Sequence, residues 1–487
     1  MRNQVQLITY PDSFGGDLKS IDTLLAKHFS GIFGGVHILP PFPSSGDRGF
    51  APQTYFKIEP AFGTWEDIRS IGRRHEVMLD VMVNHVSRRS TYFQDFQKRG
   101  RQSPYADMFM TLEKIWPDGQ PIDEDVAKVF LRRPIHPFQD ITVEETGAVE
   151  RVWATFGTRD WSEQIDLDVN SPVTQQFFRE VMTHMRDQGV SALRLDAIAF
   201  VTKKPGTNCF FVEPEIYGFL ERIEAQADEV GLELLPELHA PFDVQMKLSR
   251  RGEWVYNFVL PLLTLHALLK GTAGRLKEHL RQSPLKQITM LDCHDGIPVQ
   301  PDLNGILEID EAQDVVRSCL ERGANLNIVV SEAHRLRPDF EAHQINITYY
   351  SALGANDDAM IAARAMQFFA PGVPQVYYVG LLCGENAPEE IERTEERRAI
   401  NRRNYTVDEV EAALQKPVVR RLIELMRFRS TCAAFNGEFS VLDSDDSHLR
   451  MAWQNGAERA ELDVDLRAPR AVITVQDASG ERREYVP

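Results

Sequence analysis

Short apolar runs alternate along this chain with longer segments of helical pattern. VQLITY (5–10) precedes DLKSIDTLLAKHF, and GIFGGVHILP (31–40) precedes TWEDIRSIGRR. EVMLDVMVNH (76–85) leads into a long polar excursion, after which the rhythm resumes with VTQQFFREVMTHMRDQG, ALRLDAIA, EPEIYGFLERIEAQADEVG and LELLPEL. PFDVQMKLSRRG, WVYNFVLP, QITMLDCHD and GVPQVYYVG complete the series. Strands are predicted near residues 5, 31, 76, 192, 233, 254, 288 and 372. Eight strands with helices between them read as an α/β protein, a closed (β/α)8 TIM barrel.

The spacing is uneven twice. Residues 87–169 and 297–347 are too long for simple connections. The expected organisation is a barrel of residues 1–86, 170–296 and 348–435, an inserted B domain at 87–169 and an inserted acceptor-loop subdomain at 297–347. From 436 to 487 the residues alternate between apolar and polar, with turn residues between, which predicts a small antiparallel β domain.

Composition narrows the function. Of 487 residues, 43% are apolar and 26% charged, as in an ordinary globular protein. No apolar run reaches the ~20 residues that span a bilayer, and the first residues lack the parts of a secretion signal, so no membrane partner is expected. Cys209, Cys293, Cys319, Cys383 and Cys432 show no disulfide or zinc spacing, which favours a reducing cytoplasm. A net charge of −18 argues against nucleic acid, and an anionic substrate needs a local basic cluster.

Three apolar runs end in an acid: SALRLDAIAF at Asp196, LELLPELHA at Glu237 and ITMLDCHDG at Asp295. A fourth, VMLDVMVNH, ends in His85. Barrel enzymes carry their chemistry at the C-terminal ends of the strands. Any one acid there reads equally well as a cap or turn residue. Three of them, with Arg194, His85 and His294, point to glycosidic-bond chemistry. Arg194 shares a strand face with Asp196 and would keep it ionised. Glu237, as a proton donor, needs a drier setting, which the apolar LLPEL segment would supply. The two histidines with Asp295 have no metal-ligand spacing, so no metal and no cofactor are expected.

These segments, DVMVNH, ALRLDAIAF, LLPELH and LDCHDG, resemble the α-amylase clan, glycoside hydrolase family 13. The resemblance implies Asp196 as nucleophile, Glu237 as acid/base and Asp295 as transition-state stabiliser, with His85 and His294 on glucose hydroxyls. GGVHILPPFPSSGDRGF, EQIDLDVNS, TNCFFVEPE, HQINITYYSALG and FFAPGVPQVYYVG resemble the sucrose-phosphorylase branch over nearly the whole length. By that resemblance Asp47, Phe50 and Gln164 line the glucose site, and Arg133 and Arg398 serve the acceptor.

In sucrose phosphorylases the acceptor loop reads Asp-Leu-Tyr-Gln; here it is Glu341-Ala342-His343-Gln344. Histidine at the third position, with FLRRP and SRRSTYFQDF, resembles the sucrose 6-phosphate phosphorylases. The implied reaction is retaining phosphorolysis of sucrose 6F-phosphate, through a covalent glucosyl-enzyme, to α-glucose 1-phosphate and fructose 6-phosphate. The partners expected are these small molecules and inorganic phosphate, with the chain a monomer or homodimer. Arg132, Arg335 and Arg337 add charge near the loop, although Arg335 and Arg337 read equally as a solvated face. Lys203 and Lys204 read either as channel lining or as solubilising charge. The rivals are phosphorylases of plain sucrose, glucosylglycerol or glucosylglycerate, a hydrolase or transglucosidase, and a non-catalytic amylase-like scaffold.

Overall fold

The computed structural model describes every residue except 158–162, 301, 302, 304, 332, 333, 336 and 338. Eight short strands recur along the chain: β1 (Val5–Thr9), β2 (Phe33–Ile38), β3 (Glu76–Met82), β4 (Ala192–Asp196), β5 (Glu233–Pro236), β6 (Val255–Asn257), β7 (Gln287–Thr289) and β8 (Val373–Tyr377). They coincide with the eight apolar runs. β1 and β2 are buried throughout, as expected of strands covered on both faces.

The helices between them start and stop on local chemistry. Leu18–His28 begins on Asp17, whose carboxylate accepts the Ser20 N–H at 2.7 Å, and buries Leu18, Ile21, Leu24 and Leu25 on one face. Pro172–Asp187 begins on Ser171 with proline in its first turn. Glu215–Val230 ends on Gly231 in the left-handed conformation.

Two compact units emerge from the contacts. The first comprises residues 1–37, 239–328 and 336–487; the second comprises 38–238 and 329–335. Within the first, strands neighbour in the order β2-β1-β8-β7-β6, with β1–β8, β8–β7 and β7–β6 paired in parallel. Helix Asp357–Phe369 is buried along nearly its whole length, so its apolar residues face every direction. A five-stranded antiparallel meander follows: β9 (Glu438–Leu442), β10 (His448–Asn455), β11 (Glu458–Asp465), β12 (Arg470–Gln476) and β13 (Arg482–Tyr485). Trp453 of β10 donates its indole N–H to the Phe369 carbonyl at 2.7 Å, tying the meander to that helix.

Within the second unit the order is β5-β4-β3, all parallel. The chain between β3 and β4 builds a small core from Met110, Leu112, Ile115, Trp116, Val126, Val129 and Trp153, joined by Cys209 from beyond β4. A two-stranded antiparallel pair, His85–Ser87 with Gln164–Asp166, closes its two ends together.

Candidate active site

The second unit gathers its chemistry on Arg194. Parallel pairing sets Arg194 of β4 directly opposite Asp80 of β3, and Leu235 of β5 opposite Arg194 on the other side. Asp196 ends β4, and Glu237 follows β5, its N–H donating to the Leu195 carbonyl at 3.0 Å. The guanidinium therefore reaches three carboxylates. Nη1 pairs with Asp80 and with Asp196 (2.9 Å), and Nη2 with Glu237 Oε1 (2.6 Å). Ala197, held at φ 58°, turns its N–H onto Glu237 Oε2 at 3.2 Å. The sequence reading asked for an apolar setting around Glu237. The structure instead places it among charges, because the chain turns straight from β5 onto the arginine face of β4.

Tyr55 stands behind these acids. Its hydroxyl oxygen accepts the Met82 N–H at 2.9 Å, and burial, reinforced by the charges of Asp196 and Asp80, pushes it well above the usual phenol range.

Phe50, His85 and Gln164 converge as well. The Phe50 carbonyl accepts from His85 Nε2 at 2.9 Å and from the Gln164 amide at 3.4 Å. Phe50 is carried by three successive left-handed residues, Asp47, Arg48 and Gly49. Only glycine suits the third, since a Cβ there would lie 2.7 Å from the Pro40 carbonyl oxygen. Such a run marks a backbone shaped for something other than packing. The Phe50 ring lies 5.8 Å from the Arg194 guanidinium, and Phe156 packs on His85 at 5.1 Å. Burial lowers the His85 pKa, partly offset by the Asp166 carboxylate, so the ring is neutral near pH 7. Arg133 is buried, donating to the carbonyls of Phe156 and His136 at 3.3 Å each. Arg132 is half-buried one residue away.

The first unit builds a second cluster beyond β7. Asp295 Oδ1 accepts from Arg398 Nη1 at 2.6 Å, and Arg398 Nη2 reaches Gln344 Oε1 at 3.1 Å. His294 Nε2 is 3.5 Å from Asp295 Oδ2, and its ring meets Tyr10 edge-on at 6.0 Å. Arg402, 2% exposed, donates to the His294 carbonyl at 2.8 Å, while Asn401 donates to that of Cys293 at 3.1 Å. The segment 397–402 thus grips the strand end that presents Asp295. In the acceptor loop, His343 and Gln344 are buried on strand Ala342–Asn346, whereas Glu341 faces solvent. The His343 ring is 6.5 Å from that of His239, which stacks on Phe258 at 3.9 Å. Arg337 pairs with Asp310 and Asp339 at the surface, the solvated arrangement. Arg335 donates to the Val329 carbonyl at 3.3 Å.

Sequence reading did not single out Asp80, Tyr55, Asn84, Asp166, Phe156 or Arg402. Asp80 and Arg402 are invisible as site residues until strand register or the 397–402 turn places them.

Residues 15–244 match the model of the α-amylase catalytic domain. Over 486 residues the chain is 52% identical to the sucrose 6(F)-phosphate phosphorylase of Thermoanaerobacterium thermosaccharolyticum, covering 100% of this chain and 99% of the relative. The chain belongs to the sucrose-phosphorylase branch of the α-amylase family. It is 41% identical to the sucrose phosphorylase of Streptococcus mutans, with 98% of both chains covered. Its structure matches the crystal structure of sucrose 6F-phosphate phosphorylase from Thermoanaerobacter thermosaccharolyticum with a TM-score of 0.98, at 52% identity, over 100% of this chain and 99% of that one. The eight strands therefore form the (β/α)8 barrel of this phosphorylase family. No helix among the described residues is long and apolar enough to cross a membrane.

Proposed function

We propose that this chain catalyses phosphorolysis of sucrose 6F-phosphate to α-glucose 1-phosphate and fructose 6-phosphate, with retention at the anomeric carbon. The full-length 52% identity to a protein of that name, above the 41% to a sucrose phosphorylase, carries this reading. The substrates are small molecules, and the five free thiols suit a reducing cytoplasm.

Asp196 attacks C1 of the glucosyl unit while Glu237 protonates the departing fructosyl oxygen. Phosphate then replaces fructose 6-phosphate, and its oxygen attacks C1 as the Asp196 ester breaks and Glu237 takes the phosphate proton. Two inversions give retention. One guanidinium touching both acids holds them as close neighbours, in keeping with the short carboxyl separation that retaining enzymes use.

That guanidinium also supports the change of role. Three acids on one cation leave excess negative charge if all ionise, which favours a proton on one of them. Once Asp196 is an uncharged ester, Arg194 answers to fewer anions, and Glu237 is better stabilised as the carboxylate that the second step requires. Asp295, held by Arg398, is assigned to the transition state, and His85, Gln164, Phe50, Asp47 and His294 to the glucosyl unit. Arg133, Arg398, Glu341, His343 and Gln344 are assigned to the acceptor. An arginine fork and an imidazole suit a phosphate better than a phenol does.

The test is incubation of the purified protein with sucrose 6F-phosphate or plain sucrose, with and without phosphate, assaying glucose 1-phosphate. Phosphate-dependent product from sucrose 6F-phosphate, with a far slower reaction on sucrose, is expected. Equal rates would remove the phosphorylated substrate from the reading. His343→Tyr and Arg133→Ala should each raise KM for the phosphorylated substrate.

A further inference from the structure

Lys203 is one of two adjacent lysines after β4, yet its side chain is 1% exposed. Its ammonium faces three oxygens: Asp166 Oδ2 at 2.8 Å, Asn84 Oδ1 at 2.8 Å and the Phe200 carbonyl. An ammonium only donates, so it holds the Asn84 amide with its oxygen toward Lys203. The amide nitrogen is thereby turned to the other side, where it lies 3.4 Å from His85 Nδ1. An amide nitrogen also only donates, so Nδ1 must accept. The remaining ring nitrogen, Nε2, sits 2.9 Å from the Phe50 carbonyl and must carry the proton. Two independent contacts thus name one tautomer.

We infer that Lys203 is a positioning residue: through Asn84 it fixes His85 as the neutral Nε2–H tautomer. The consequence for function rests on the reading that His85 contacts the glucosyl unit. That single N–H is committed to the Phe50 carbonyl and Nδ1 is closed by Asn84, so the ring anchors the Phe50 backbone and meets the sugar as an uncharged face rather than as a cation. Without the ammonium the Asn84 amide is free to rotate and present its oxygen to Nδ1. With Nε2 still facing the Phe50 carbonyl, both ring nitrogens then face acceptors, an arrangement that only the imidazolium satisfies. The charges facing His85 are Asp166, Asp47 and Lys203, so removing Lys203 leaves two carboxylates that favour the same cation.

The experiment is nitrogen NMR of the full-length protein labelled with 15N-histidine, with His85 assigned by its loss in a His85→Gln variant. The unsubstituted protein at neutral pH is expected to show the Nε2–H signature at His85; an Nδ1–H signature would overturn the inference. Lys203→Met should move His85 toward the imidazolium pattern. Asn84→Asp, which keeps the Lys203–Asp166 pair and puts an acceptor beside Nδ1, should do the same where the methionine variant fails to fold. Each folded variant should lose about tenfold in kcat/KM for sucrose 6F-phosphate, with the acid limb of the pH profile displaced upward. Unchanged His85 spectra in the folded variants would overturn the relay. Spectra that change as expected in a protein without phosphorolysis would instead overturn the functional reading and leave the relay standing.

Discussion

Arg194 and Asp80 are register partners on adjacent parallel strands, joined by an ion pair whose side chains are 3% and 0% exposed. The aspartate reaches neither end of its strand, yet it supports the arginine from which Asp196 and Glu237 take their hydrogen bonds. The pair is therefore a foundation for the two acids rather than a member of the reacting set.

Asp80→Ala removes that foundation. Arg194 keeps two carboxylates, so the expected loss is at the low end for a broken buried pair, about 3 kcal/mol in urea unfolding. Activity should fall as well, because the guanidinium is then free to tilt toward the remaining acids.

Arg194→Lys retains the charge but not the fork. A single ammonium cannot serve both Asp196 and Glu237 in the present directions. Losing one charge-assisted hydrogen bond, about 1.5–3 kcal/mol, predicts a fall in kcat of roughly ten- to a hundredfold. Steady-state kinetics with saturating phosphate will measure it, with KM for the acceptor little changed.

Arg364 and Asp292 form a buried pair at 2.8 Å behind the same strand end that presents Asp295. Gln367 completes it, accepting from Arg364 at 2.8 Å and donating to the carbonyls of Thr289 (3.0 Å) and Gln375 (2.8 Å). Gly380 lies so close that a Cβ would overlap Asp292 Oδ2 and Arg364 Nη2. Gly380→Ala is therefore expected to cost about 3 kcal/mol, read as a lower urea midpoint.

His279 supplies a pH dependence. It is 3% exposed, its Nε2–H donates to Asn257 Oδ1 at 2.9 Å, and burial pulls its pKa down to about 3. The unfolded chain, with an ordinary histidine near 6.5, binds the proton more readily across the interval between those values. Stability from this group is thus complete above pH ~6.5 and drains away as pH falls toward 3. At pH 5 the deficit is about 2 kcal/mol relative to pH 7.5. His279→Gln should show a smaller drop between those two pH values in denaturant titrations.

The barrel was legible because each of its strands is a short apolar run, and the acids stood out because each closes one. What was not legible depends on neighbours in space. Asp80 reads as a stray acid inside VMLDVM until β3 is laid against β4 in register. Lys203 and Lys204 look alike in sequence. One is enclosed by Asp166 and Asn84, and the other pairs with Glu215 at the surface. Arg402 and Arg403 divide in the same way, one against the His294 carbonyl and the other on Glu409. Adjacent identical charges carry no local pattern that separates the buried one.

The three-way contact of Arg194 has a consequence for mutational dissection. Removing any one carboxylate lets the cation redistribute over the other two, so energies from single substitutions at Asp80, Asp196 and Glu237 will not sum to that of the triple variant. Epistasis among these positions is the expected behaviour of the site, and only complete mutant cycles will apportion it.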